Sequence, residues 1–139
     1  MGCRNAVICI DTTVLIDEFR AKGNLSAPVN RALIAHGAET LIVPAAAAGE
    51  FLDGASTISE QRMQEALFLL RRRNVVPAGL DIAEHYGSIA SVLRKAGKLV
   101  GRSHNEIWIA ATARCHGARL LTRNPKDFRH VEDLCMVSY

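Results

Sequence analysis

Ala6-Val-Ile-Cys-Ile-Asp11 is the stretch that decides how this chain folds. Its apolar run, partly β-branched and halted by an acid, predicts a strand buried on both faces, as in parallel sheets covered by helices. Outward from it, Asp11 to Ala21 reads as a helix closed by Gly23, and Val29 to His36 as a second helix stopped by Gly37. Thr40 to Val43 predicts a short strand ended by Pro44, and the alanine-rich Ala45 to Leu52 a helix. Thr57-Ile-Ser-Glu60 has the form of a capping box opening a helix that buries Met63, Leu67 and Leu70. That helix ends at Arg71-Arg72-Arg73, where cations suit its negative end. Val75-Val76 reads as a brief strand, and Asp81 as the cap of a helix to Ala96 that buries Ile82, Tyr86, Ile89 and Leu93. Ile107 to Arg114 is apolar nearly all round and predicts a core helix. Ala118 to Thr122 and Cys135 to Val137 complete the strands. Strands alternating with helices predict an α/β fold with a mostly parallel sheet of four to five strands covered on both faces.

The composition sets bounds on this reading. With 139 residues, 49% apolar and 22% charged, the chain has material for a packed core, and without repeat or linker it reads as a single domain over 1–139. Only 5% of residues are aromatic, which leaves little for nucleic-acid binding through stacked rings. No apolar run approaches the roughly 18 residues that span a bilayer, and Ala6 to Ile10 is too short for a signal-peptide core. A cytoplasmic protein with no membrane partner is expected. Cys3, Cys9, Cys115 and Cys135 lack any metal-site spacing and are expected to be reduced, small hydrophobes. Residues 1–70 carry five Lys/Arg against eight Asp/Glu, and residues 71–139 carry twelve against six. A basic half of this kind suits a polyanionic partner.

In a parallel sheet the ligand crevice lies beyond the carboxyl ends of the strands, and that rule selects the polar residues that matter. Asp11 follows the first strand directly, where a carboxylate needs a partner or a cation to stay charged; it also makes a good helix cap. Thr13 can bring a hydroxyl to the same place. Glu50 stands in an alanine-rich segment after Gly49, a glycine that permits close approach; the alternative is an exposed stripe of that helix. Glu106 opens the core helix, a position that also suits an acid on dipole grounds alone. Thr122, Asn124 and Asp127 follow a strand in a turn built around Asn-Pro. Carboxylates gathered in one cleft repel one another unless protons or cations intervene. Mg²⁺ and Mn²⁺ accept such oxygen donors, and the chemistry that needs them there is phosphodiester cleavage by a metal-activated water.

Ile8-Cys-Ile-Asp-Thr-Thr-Val-Leu-Ile-Asp17, the Glu50 helix, Asn105-Glu-Ile-Trp-Ile-Ala-Ala-Thr-Ala113 and Leu120-Leu-Thr-Arg-Asn-Pro-Lys-Asp-Phe128 together resemble the PIN-domain ribonucleases, in particular the VapC-like toxins of type II toxin–antitoxin systems. The resemblance runs in order over essentially the whole chain. It implies a three-layer α/β/α fold and a Mg²⁺- or Mn²⁺-dependent endoribonuclease, a homodimer held inactive by a cognate antitoxin. By position, Asp11, Glu50 and Glu106 become the metal-binding acids, Asn124 takes the fourth and more variable place, and Asp127 is the carboxylate beside it. Thr122 matches the family's hydroxyl at the strand end. Two departures stand out: Glu106 occupies a place that is usually aspartate, and Asn124 lacks a negative charge, which weakens a second metal site.

Arg102 and Arg123 flank these acids and are the basic residues expected to touch RNA phosphates, with Thr13, Thr122 and Asn124 beside them. Lys98, Arg94-Lys95 and Arg71-Arg72-Arg73 are further basic clusters, and His104 is a minor candidate for a general base. Two other readings compete. A catalytically weak PIN-fold module would bind antitoxin or RNA without cutting. A phosphohydrolase of the haloacid-dehalogenase type would need a second aspartate at the position of Thr13.

Overall fold

The structure, a computed structural model, describes residues 6–139. Five parallel strands, β1 (Val7–Ile10), β2 (Thr40–Pro44), β3 (Asn74–Val76), β4 (Arg119–Leu121) and β5 (Met136–Val137), form one sheet in the order β3-β2-β1-β4-β5. The helices are α1 (Thr12–Ala21), α2 (Pro28–Ala35), α3 (Ala45–Ser56), α4 (Glu60–Arg71), α5 (Leu80–Lys95) and α6 (His104–Cys115), followed by a 3-10 turn at Pro125–Phe128. Successive strands run outward from β1 to β3, then return to the other side of β1 for β4 and β5. Right-handed crossovers place the helices of these two runs on opposite faces, giving three layers.

β1 is buried because it is paired on both edges and covered on both faces: Ile8, Cys9 and Ile10 are wholly inaccessible. The ladder continues one residue past β1, where the Asp11 amide donates to the Leu121 carbonyl at 3.0 Å. It does the same past β4, where the Thr122 amide donates to the Val137 carbonyl at 3.0 Å. Both residues are therefore held by backbone bonds at the carboxyl edge of adjacent strands. Here the direction of the crossovers reverses, the place where open α/β sheets form their crevice.

Several local expectations shift. Asp11 is the cap of α1 and not its first residue, and α1 ends on two left-handed residues, Lys22 (φ 49°) and Gly23 (φ 78°). The helix predicted to stop at Leu52 runs one further turn, to Ser56. The capping box is displaced in consequence. Thr57 closes α3 with its hydroxyl on the Gly54 carbonyl, and Ser59 caps α4 by accepting from the Arg62 amide. α4 buries Ala66 and Leu70, while Met63 and Leu67 are half-buried. Gly79 replaces Asp81 as the cap of α5, and Asp81 instead accepts from the Ile82 amide within the first turn. Cys9 and Cys115 are free thiols as expected, and Cys3 lies outside the described residues.

The displaced cap has a measurable consequence. Ser59→Ala should cost about 1 kcal/mol of unfolding free energy, whereas Thr57→Ala should stay within about 0.5 kcal/mol of the parent. Urea denaturation followed by circular dichroism compares the two.

Candidate functional site

The Asp11 carboxylate is 5% exposed and fully engaged by its neighbours. Its Oδ1 accepts from the Thr12 amide at 2.8 Å. Its Oδ2 accepts from two hydroxyls, Thr13 Oγ1 at 2.9 Å and Thr122 Oγ1 at 2.7 Å. The same hydroxyls organise the loop after β4, since Thr13 Oγ1 accepts from the Arg123 amide and Thr122 Oγ1 from the Asn124 amide. One carboxylate thus ties the end of β1, the start of α1 and the loop after β4 together. Burial pushes its pKa above the ordinary carboxylate value; the three donors oppose that shift, and the Glu50 charge adds to it.

Glu50 is exposed on α3, which supports the amphipathic-stripe alternative for its surroundings, and open space rather than a packed element surrounds Gly49. The glutamate is nonetheless anchored, because the Thr12 hydroxyl donates to its Oε1 at 2.7 Å. Glu106 is half-buried in the first turn of α6. Its carboxyl is raised first by burial, then by the Asp127 charge; Arg102 opposes this, and Asp11 and Glu50 raise it further. The four acids therefore share one electrostatic neighbourhood although they come from four separate elements. Asp127 lies in the 3-10 turn, its main-chain carbonyl accepting from Arg102 Nη1 at 3.2 Å. Asn124 is half-buried and starts that turn.

Sequence reading missed Thr12 and Asp17. Thr12 is buried and bridges to Glu50 from the first position of α1. Asp17 accepts from Tyr139 Oη at 2.6 Å and pairs with Arg123. Arg123, expected to touch RNA phosphates, is exposed and carries this ion pair with Asp17. The pattern of Asp17 one helical turn and a half beyond Asp11 was the available signal. His104 is held by the Tyr86 hydroxyl, at 2.6 Å from Nδ1. Arg73 pairs with Glu18 and drops out of the free basic clusters.

Among the described residues no three acidic, histidine or cysteine side chains already converge as a metal cage. The donor set still fits a small hard cation. Mg²⁺ is usually held by one or two carboxylates, with water and substrate phosphate completing its octahedron, and not by an all-protein cage. Carboxyls raised by burial and by one another are the mark of negative charge that such a cation would relieve. The second position after Asp11, which a dehalogenase-type phosphatase gives to an acid, holds Thr13, a hydroxyl that donates to Asp11 and accepts from the Arg123 amide.

Comparison with known proteins identifies the family and the fold. The PIN domain profile matches residues 8–134. Ribonuclease VapC1 of Haemophilus influenzae is 29% identical over 130 residues, covering 92% of this chain and 94% of its own length. Ribonuclease VapC11 of Mycobacterium tuberculosis is 33% identical over 122 residues, covering 85% of this chain and 87% of its own. Among solved structures, VapBC-1 from nontypeable Haemophilus influenzae superposes with a TM-score of 0.76 at 26% identity, covering 95% of this chain and 97% of that one. DNA-bound VapBC from Salmonella typhimurium gives 0.81 at 19% identity, covering 94% and 96%, a likeness of fold.

The raised carboxyls fix the sign of a pH effect. A group whose pKa is higher in the folded state supports folding below its unfolded value and loses that support as pH rises through the folded value. Without added metal, Asp11→Asn and Glu106→Gln should therefore raise Tm at neutral pH. The gain should vanish as pH falls below the ordinary values of 3.8 and 4.5. Differential scanning calorimetry across pH reads both the sign and the window.

Proposed function

This chain belongs to the PIN-domain family, and from that premise we propose that it is the toxin of a toxin–antitoxin pair, an endoribonuclease that hydrolyses RNA phosphodiesters with Mg²⁺ or Mn²⁺. The observation that carries the reading is the buried Asp11 carboxylate, fixed by Thr13 and Thr122 at the crevice edge and coupled to Glu50 and Glu106, the latter in turn to Asp127. Asp11, Glu50 and Glu106 would hold the cation. When bound, it supplies an activated water and neutralises charge at phosphorus.

The chain's own groups do the rest. Thr13 and Thr122 fix the carboxylate plane of Asp11, and the Thr12 hydroxyl turns Glu50 toward the same place. Asp127 and Asn124 line the crevice edge beyond β4, and Arg102, anchored on the Asp127 carbonyl, offers positive charge to a phosphate there. Glu106 and Asp11 take up protons at higher pH than ordinary carboxyls, so cation binding should fade early on acidification.

The partner in this reading is a cognate antitoxin, since the similar solved structures are VapBC complexes. A surface cavity of about 700 Å³ between α1, α2 and α4 offers it a seat, with Phe68 exposed and Arg62 stacked 4.2 Å over the Phe19 ring. A cytoplasmic homodimer is the form we assign; no helix among the described residues is long and apolar enough to cross a membrane. A second reading, a module that binds RNA or antitoxin without cutting, is favoured by one observation: the acids among the described residues do not yet form a ready-made cage.

Incubating a mixed RNA pool with Mn²⁺ separates the two. Cleavage that Asp11→Asn abolishes supports the nuclease; binding without cleavage supports the module. Thr122→Val, which removes a donor to Asp11 and keeps its shape, should lower the cleavage rate by roughly 10–100-fold. Glu106→Gln should weaken Mn²⁺ binding in a calorimetric titration, while Glu106→Asp should retain or raise activity. Unchanged Mn²⁺ affinity in Glu106→Gln would take Glu106 out of the site.

A further inference from the structure

Lys98, Arg102, Arg129 and His130 gather on the side of the crevice bounded by Glu106 and Asp127. Lys98 Nζ donates to His130 Nδ1 at 3.3 Å, which joins the loop before α6 to the segment after the 3-10 turn. Arg102 and His130 line one small cavity with Glu106 and Asp127. Arg102 is half-buried and fixed by its bond to the Asp127 carbonyl, whereas Lys98, Arg129 and His130 are exposed. Among the described residues, Lys98, Arg102 and Arg129 make no ion pair with a carboxylate, in contrast to Arg62, Arg73, Arg119 and Arg123, each of which does. The three cations share one neighbourhood: Lys98 lies 3.3 Å from His130 Nδ1, and Lys98, then burial, then Arg102 and Arg129, hold the His130 pKa below its ordinary value.

We propose that Lys98, Arg102 and Arg129, with His130 bracing Lys98, form a grip for the sugar–phosphate backbone of single-stranded RNA next to the bond that is cut. The proposal rests on the nuclease reading for the identity of its ligand. Two features favour RNA over an acidic protein segment. The cations border the acids assigned to catalysis, so a strand crossing those acids meets the grip with its next phosphates. Point charges on flexible stems also suit a repeating phosphate, and the scarcity of aromatic side chains leaves binding to backbone contacts. Such contacts confer affinity that is independent of base sequence and falls with salt.

The test uses the full-length Asp11→Asn variant, so that binding is read without cleavage. In it the two hydroxyls that donate to Asp11 can rotate to accept from the new amide. A fluorescent single-stranded RNA of mixed sequence is titrated by anisotropy at several salt concentrations. Adding Lys98→Ala and Arg129→Ala, both at exposed positions, should weaken binding similarly for RNAs of different sequence. The slope of log affinity against log salt should become shallower by about 0.7 for each phosphate no longer neutralised. Arg31→Ala on α2 removes the same charge elsewhere and should leave the slope unchanged. An unchanged slope in the double variant overturns the grip, and so does an equal loss in Arg31→Ala, which would mean diffuse attraction. Loss of binding to a polyglutamate peptide with RNA binding intact overturns it in favour of a protein ligand. Failure of the parent protein to cut RNA that it still binds through these residues would sink the nuclease reading and leave the grip standing.

Discussion

Three donors on one buried carboxylate hold this site together. Asp11 receives the Thr12 amide, the Thr13 hydroxyl and the Thr122 hydroxyl, and each donor comes from a segment that the active crevice needs in register. Burial of a carboxylate favours its protonated form, and donors of this kind oppose that shift; in the proposed reading a cation would relieve what remains. Asp11 is thus both the cap of α1 and the point where burial and hydrogen bonding pull a carboxyl's proton affinity in opposite directions.

The sheet makes this arrangement possible. Because β1 is central and fully buried, the residue after it stands at the crevice mouth with its backbone already pinned to β4. β4 in turn delivers Thr122, and the turn after it brings Asn124 and Asp127 round to the same edge. α3 starts directly at the end of β2 and brings Glu50 from one side, while α6 brings Glu106 from the other. Four polar segments from distant parts of the sequence thus share one electrostatic neighbourhood at the edge of an apolar scaffold.

Most of this architecture was legible in the sequence. Ala6 to Ile10 and Thr40 to Val43 are short apolar segments suited to buried strands, Ala118 to Thr122 is a short segment around Leu120-Leu121, and Ile107 to Arg114 is apolar nearly all round, which marks a core helix. The boundaries were less legible where two signals competed. Thr57 and Ser59 both make good caps, and only the packing of α3 for one more turn decides that Ser59 is used. The residues of the site followed from the rule about strand ends, but their partners did not. Nothing in the local sequence tells that Thr12, not Thr13, reaches Glu50, or that Arg123 turns back to Asp17, because both depend on side-chain directions set by α1. The exposure of Glu50 was hidden for the same reason: a run of small residues looks buried on every side until the neighbouring helix is placed.

Burial raises the Asp11 carboxyl, and in the proposed function a divalent cation relieves it. Carbon-13 NMR titration of the Asp11 side chain, with and without Mg²⁺, measures this directly. The expected result is a pKa above the ordinary 3.8 in the metal-free protein and a marked fall when Mg²⁺ is added. An Asp11 titration that is the same with and without Mg²⁺ would contradict it.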